Sequence, residues 1–415
     1  MNKQGKCLLR GDVKLQLGWN AKVLPNETLT QIFKDIDFPN NCIYVNHSWA
    51  FAALPFLWQS PFTIARNPIK LVETLIKSLP TEVKNSLVQV VSVIKPWLKE
   101  HTCYKYAEWI KELQYEQLLS YVIVWFESQH RIKPVSRNQK VCHSLELRSE
   151  GGILSKETRI QVQSIFSTLI SFLISSSRNL RTLDLSTRHV YPHLSTMLCP
   201  MQTNYESLIT ITELTCDTWV PENFYQTLSL RSRNLESLHI YHPQRDSDVV
   251  DLAFLIKHQT RGIQHIKLSD SGANITMLLE SFGTQAATLS SLRLYRTNLT
   301  NKGLDALGKL ANLNSLELDM CRFLLCYPYK APDLLWPKLK RLHLSETEDF
   351  VDIPAIIVMI TKVLLGLDEL LLHHHLKHND IIQKTVIKNV INQLPNVRQH
   401  DISPNWLFTK VVYKV

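Results

Sequence analysis

Glycine is scarce in this sequence, with 11 residues in 415. Chains that cradle phosphates in glycine-rich loops usually carry more, so no such loop is expected. None of the eight cysteines forms a Cys-x-x-Cys pair, and Cys321 and Cys326 come closest. Scattered in this way they read as reduced, buried small side chains, and no metal is expected. Blocks of five or more arginines and lysines are missing, and the net charge of +9 is spread along the chain. That distribution argues against nucleic acid as a partner. The longest apolar stretch, residues 353–367, is interrupted by Lys362. It is too short to span a bilayer and suits a buried helix, so no membrane partner is expected. The first 20 residues lack the apolar core of a signal peptide. The expected location is therefore cytoplasmic, nuclear or both, and the Asn-x-Ser/Thr sites at Asn26, Asn46, Asn274 and Asn298 are expected to be incidental. Neither Gly-x-Ser-x-Gly nor His-Glu-x-x-His occurs, and the chain is not expected to be an enzyme or to carry a cofactor.

What is present begins with an ordinary globular balance, 45% hydrophobic and 20% charged. The length allows two to three domains or one long repeat array. Between Leu24 and Trp58, Leu29, Ile32, Phe33 and Ile36 recur at helical spacing. Pro25 suits a first helical turn, and Glu27 sits near the positive end of the dipole. A turn at Phe38-Pro39-Asn40-Asn41 separates this from a second helical pattern through Val45, Trp49, Ala52 and Ala53. From about residue 59 to 140 the pattern stays helical, with one stripe through Ile69, Val72, Leu75 and Ile76 and another from Trp109 to Phe126. It reads as a helical spacer.

The rest of the chain repeats. The pattern apolar-x-x-apolar-x-apolar recurs in eight clear copies that begin at Leu180, Ile211, Leu235, Ile263, Leu289, Leu313, Leu339 and Leu367. Weaker copies sit at Cys142-Leu145-Leu147 and around Val397–Ile402. The first positions of the clear copies lie 31, 24, 28, 26, 24, 26 and 28 residues apart. The last two apolar positions of each copy are two apart, so on a strand they share one face. One copy cannot bury that face alone, and neighbours must stack. Periods near this length with this core are the signature of leucine-rich repeats. The expected fold class is α/β: an N-terminal helical module, a helical spacer, and a solenoid of short parallel strands and helices.

Two motifs invite a chemical reading. Gly303 to Lys309 matches Gly-x4-Gly-Lys, but Leu310 stands where a magnesium-binding hydroxyl is required. Its leucines have helical spacing, and a repeat helix is the better reading. His373-His374-His375 and His378 form a histidine-rich stretch. Adjacent strand positions face opposite ways, which disfavours a shared metal.

Leu24-Pro25-x-Glu27-x-Leu29-x-x-Ile32-Phe33, then Val45-Asn46-His47-Ser48-Trp49, then Leu54-Pro55-x-Leu57-Trp58, resembles an F-box of the fungal F-box/leucine-rich-repeat type. His47 stands where that family often has arginine. The order of F-box, helical spacer and repeats covers nearly the whole chain. The resemblance implies a basic N-terminal tail at 1–20, a three-helix-type F-box at 21–60, a spacer at 61–140, repeats at 141–403 and a C-terminal tail at 404–415. It implies a non-catalytic substrate receptor of a Skp–cullin–F-box ubiquitin ligase, acting in ubiquitin-dependent degradation. The expected partners are a Skp-family adaptor, a cullin reached through it, and a protein target. By motif match, Leu24, Pro25, Leu29, Ile32, Phe33, Val45 and Trp49 are the expected adaptor-binding residues. Those facing the adaptor and those facing the module's own core are not separable at this level. The rival reading is a leucine-rich-repeat protein-binding scaffold that acts outside a ubiquitin ligase.

Residues that alternate with the buried leucines are expected to face outward on the concave side. Tyr241, Lys267, Arg293 and Tyr295 fall there on consecutive strands, flanked by Glu213 and Asp217 on one side and Glu317 and Asp319 on the other. Tyrosine and arginine are favoured interface anchors. These four are the expected target-binding residues, suited to an acidic or phosphorylated segment.

Overall fold

The computed structural model describes residues 24–36, 39–65, 67–130, 156–186, 206–217, 224–241, 246–269, 275–324, 336–345, 369–374, 398–400 and 409–414. The chain divides into two compact units, Met1–Gln59 and Ser60–Val415.

The first unit is built from α1 (Asn26–Lys34), a 3-10 turn (Pro39–Tyr44) and α2 (His47–Leu57). Glu27 in the first turn of α1 and Lys34 in its last complement the helix dipole. Asn46 starts α2, its side chain accepting from the Trp49 N–H at 3.0 Å. This satisfies one of the otherwise orphaned N–H groups of the first turn. Leu29, Phe33, Ala52 and Ala53 form the core, with Leu24, Cys42, Ile43, Trp49 and Phe56 packed around it. Phe33 and Trp49 meet edge to face, ring centroids 5.5 Å apart.

The second unit is α/β. It opens with α3 (Pro61–Ile64), α4 (Pro68–Ser78) and α5 (Thr81–Val90), then β1 (Glu112–Gln114), α6 (Tyr115–Gln129) and α7 (Lys156–Ser176). Short strands follow: β2 (Thr182–Asp184), β3 (Glu213–Asp217), β4 (Ser237–Tyr241), β5 (His265–Ser269) and β6 (Ser291–Tyr295). Then come β7 (Asn298–Thr300), β8 (Ser315–Asp319), β9 (Arg322–Leu324), β10 (Arg341–Ser345), β11 (Glu369–His374), β12 (Arg398–His400) and β13 (Thr409–Lys414). Each clear copy of the sequence pattern supplies one strand. Their second apolar positions fall in strict register, Leu183, Leu214, Leu238, Ile266, Leu292, Leu316, Leu342 and Leu370 in line across parallel ladders. The arrangement is compatible with a repeat solenoid. Among the described residues no helix is long and apolar enough to cross a membrane.

The sheet departs from the expected boundaries at both ends. Its order is β1-β2-β3-β4-β5-β6-β8-β10-β11-β13-β12, so β1 within the expected spacer is the first strand. Ile110-x-x-Leu113-x-Tyr115 is itself a copy of the pattern, and all three side chains are buried. It pairs directly with β2; the weaker copy at Cys142–Leu147 lies outside the described residues. At the other end, β13 falls in the expected tail. It runs antiparallel between β11 and β12, so the strand near Val397–Ile402 does not continue the parallel register.

Helices α8 (Phe224–Arg231), α9 (Asp246–Lys257), α10 (Thr276–Phe282) and α11 (Asn301–Gly308) connect successive strands. Gly303 lies inside α11, where a Cβ would come within 2.8 Å of Leu279 on α10. Its place in the Gly-x4-Gly-Lys match is thus a helix-packing position. Thr300 caps the same helix by accepting from the Gly303 N–H at 3.2 Å.

Two buried glutamines tie one repeat to the next. The Gln259 oxygen accepts from the Leu235 N–H at 3.0 Å, and its amide donates to the carbonyls of Ser232 and Leu255. Gln285 repeats the device one copy later, accepting from the Ile263 N–H at 3.0 Å and donating to the Ile256 carbonyl at 2.8 Å. Both precede the next copy by four residues. That spacing is the sequence signal that could have found them.

Candidate interaction surfaces

The first unit sorts the residues expected to bind an adaptor into two groups. Leu29 and Phe33 are core, 0% and 1% exposed, and cannot present a surface. They lie on the inner face of α1, where α2 covers them. Leu24 and Trp49 are half-buried against that core. Pro25, Ile32 and Val45 are exposed. The motif did not mark Ile36, Tyr44 and Phe51, which are exposed as well. Five of the twelve exposed large apolar side chains among the described residues therefore fall between Ile32 and Phe51. They come from α1, the 3-10 turn and α2 or directly beside them. A unit this small has little core to bury them in, and exposed apolar groups concentrated on one small element mark contact surfaces.

In the second unit the outward positions of the sheet form rows. The central row runs Thr215, His239, Lys267, Arg293, Glu317 and His343 across β3, β4, β5, β6, β8 and β10. The row beside it includes Ser237, His265, Ser291 and Ser315, and the other Tyr241, Ser269, Tyr295 and Asp319. Lys267 and Arg293 stand on adjacent strands, as expected. Tyr241 does not face outward freely. It is only 7% exposed, and the Lys267 Nζ lies 5.7 Å from its ring centroid. Its role is to back that cation. Tyr295 is half-buried and backs Arg296, whose guanidinium carbon lies 5.0 Å from the ring centroid.

Glu317 joins this group. Its carboxylate pairs with Arg293 Nε on one side and with His343 Nδ1 at 3.2 Å on the other. Burial acts to raise the Glu317 pKa, but the His343 hydrogen bond and the Arg293 and His343 charges outweigh it and hold the carboxyl below its ordinary value. The Arg293 side chain stays 48% exposed. The result is a half-open strip in which Lys267 and Arg293 stand side by side and Glu317 follows between Arg293 and His343.

The structure defines a class by its architecture: an α/β unit of short parallel strands in repeating register, and a small helical unit that exposes apolar side chains. Comparison of the chain with protein-family models, with curated proteins and with solved structures finds no match.

Proposed function

We propose that the chain is a substrate-recognition adaptor of a Skp–cullin–F-box ubiquitin ligase. The first unit serves as the F-box that docks on a Skp-family adaptor. The repeats serve as leucine-rich repeats that hold the protein to be modified. The observation that carries this reading is the set Ile32, Ile36, Tyr44, Val45 and Phe51, exposed on the unit whose sequence resembles an F-box. Burying such side chains against a partner contributes about 1.5–3 kcal/mol each before the costs of association. A few of them suffice for a stable interface. Catalysis is not required of the chain itself. Tethering a target raises the effective concentration of its lysines at the transfer site.

The experiment is co-purification of a Skp-family adaptor with the full chain. The wild type retains the adaptor. Ile32→Asp with Val45→Asp, both exposed and outside the core, abolishes retention while the circular-dichroism spectrum stays unchanged. Leu24→Ala with Pro25→Ala, or Trp49→Ala, weakens it. Failure of the wild type to retain any Skp-family adaptor, or full retention by the Asp double variant, refutes the assignment and leaves a repeat scaffold acting outside a ligase.

A further inference from the structure

We propose that Ile209, Arg233 and Arg261 form a docking row for an acidic, amphipathic helix of a partner protein. The row lies on the segments that lead into β3, β4 and β5, ahead of the strands rather than among their outward side chains. The assignment rests on the proposed partner-holding role of the repeats and is independent of adaptor docking.

Each of the three residues stands just ahead of the first apolar residue of its copy: Ile209 before Ile211, Arg233 before Leu235 and Arg261 before Ile263. Hydrogen bonds lay these entrance segments side by side. The Asn234 amide donates to the Ile209 carbonyl at 3.3 Å. Thr260 donates to the Arg233 carbonyl from both its N–H and its Oγ1, each at 3.1 Å. Thr288 Oγ1 donates to the Ile263 carbonyl at 3.1 Å. Directly after Arg261 the chain turns at Gly262, whose φ of 84° lies in the left-handed region. A Cβ there would collide with the Thr288 side chain. The backbone that carries the row is therefore fixed by its neighbours on both sides.

Arg233 and Arg261 are exposed, and among the described residues neither side chain is ion-paired. A guanidinium stays protonated in proteins and presents five N–H donors. Two of them on neighbouring segments repel each other, and carboxylates placed over them relieve that repulsion. Arg178 holds the same position one copy earlier, but it is engaged with Glu108 at 2.9 Å. Between Arg178 and Arg233 stands Ile209, 44% exposed, and Leu230 in the last turn of α8 is 63% exposed. The available row thus reads apolar, basic, basic.

The spacing selects the occupant. Neighbouring hydrogen-bonded segments lie about 4.8 Å apart. Side chains four positions apart on a helix are about 5–6 Å apart. A partner helix laid along the row sets an apolar residue on Ile209 and carboxylates at i+4 and i+8 on Arg233 and Arg261. The long arginine side chains absorb the small mismatch. A nucleic-acid backbone suits the row less well. Glu206 and Glu236 are exposed on the same segments and repel a continuous line of phosphates, and Ile209 and Leu230 gain no apolar contact from one.

The test uses the full chain and a fluorescein-labelled, alanine-based helical peptide of about 20 residues, read by fluorescence anisotropy. It carries leucine, glutamate and glutamate at i, i+4 and i+8. One control peptide has glutamine for both glutamates, and a second moves the glutamates to the opposite face of the helix from the leucine. Wild type binds the first peptide and neither control. Arg233→Glu with Arg261→Glu weakens binding about tenfold or more. Arg233→Gln with Arg261→Gln weakens it about threefold or more and guards against misfolding of the double reversal. Ile209→Asp weakens it about threefold or more through the lost apolar contact. A control reversal of two exposed lysines elsewhere, Lys70→Glu with Lys302→Glu, leaves binding unchanged. Adaptor co-purification with the same variants stays at the wild-type level, so a failure of docking and a failure of the row are read separately. Equal binding of either control peptide, or equal weakening by the control reversal, reduces the interaction to net charge and overturns the site. Tighter binding of a single-stranded DNA oligonucleotide that the Arg233 and Arg261 reversal abolishes overturns the assignment of a protein helix.

Discussion

Gln259 offers the sharpest test of how the repeats hold together. Replacing it with leucine keeps the side-chain volume nearly constant and removes the amide. Two buried backbone groups then lose the partner the amide gave them: the Leu235 N–H, held at 3.0 Å, and the Ser232 carbonyl, held at 2.9 Å. The Leu255 carbonyl also loses a bond but keeps one from the His258 N–H at 3.3 Å. Leaving a buried polar group unsatisfied costs about 1–3 kcal/mol, so the two together cost about 2–6 kcal/mol. In a repeat array each repeat contacts mainly its neighbours, so the loss is local as well as global. The assay is amide hydrogen exchange alongside chemical denaturation. Exchange at Leu235 should accelerate by at least about 30-fold, the equivalent of 2 kcal/mol. Gln226→Leu on an exposed position of α8 is the control and should stay within about 0.5 kcal/mol of wild type. If Gln259→Leu matches that control in denaturation midpoint and leaves the Leu235 amide protected, the glutamine does not tie the repeats.

Phe33→Ala removes a core ring and its edge contact with Trp49, and should cost the first unit about 3–5 kcal/mol; amide protection in α1 and α2 that survives would refute this. Lys84 is buried and its Nζ donates to the carbonyls of Lys77 and Glu100 at 2.9 and 2.6 Å. Burial depresses its pKa below 10.5 despite the opposing Glu100 charge. The unfolded chain therefore binds the proton more tightly, and the Lys84 contribution to stability rises with pH up to about 10.5. Lys84→Met should remove that slope in a series of denaturation curves and also lower stability at neutral pH. Cys103 is exposed, whereas Cys321 is buried with its thiol pushed up to about 11. Iodoacetamide at mildly alkaline pH should label Cys103 within minutes and spare Cys321 until denaturant is added, as read by peptide mass mapping.

Much of the α/β architecture was legible because a strand has a period of two. Leu183 with Leu185, and each corresponding pair, must share a face, and eight such pairs at nearly constant spacing imply stacked strands. Leu113 and Tyr115 obey the same rule. Their pattern is masked in the sequence, because a helical stripe overlaps them and the next copy lies far away, at Leu180. The antiparallel turn at the end of the sheet had no such signal: β13 pairs with β11 through backbone groups that every residue carries.

The sequence by itself determined which residues could be buried together. Leucine spacing fixed the strands, and the Leu24–Trp58 pattern fixed two helices with Leu29 and Phe33 available to a common core. Only the tertiary structure decided what remained outside. It buried Tyr241 and set Lys267 over its ring, left Ile36, Tyr44 and Phe51 exposed, and set Glu317 between Arg293 and His343. The reason is physical. Periodicity is written along the chain, where one residue dictates the face of the next. Exposure and charge pairing depend on residues 24 to 28 positions away, brought alongside by the register of neighbouring strands.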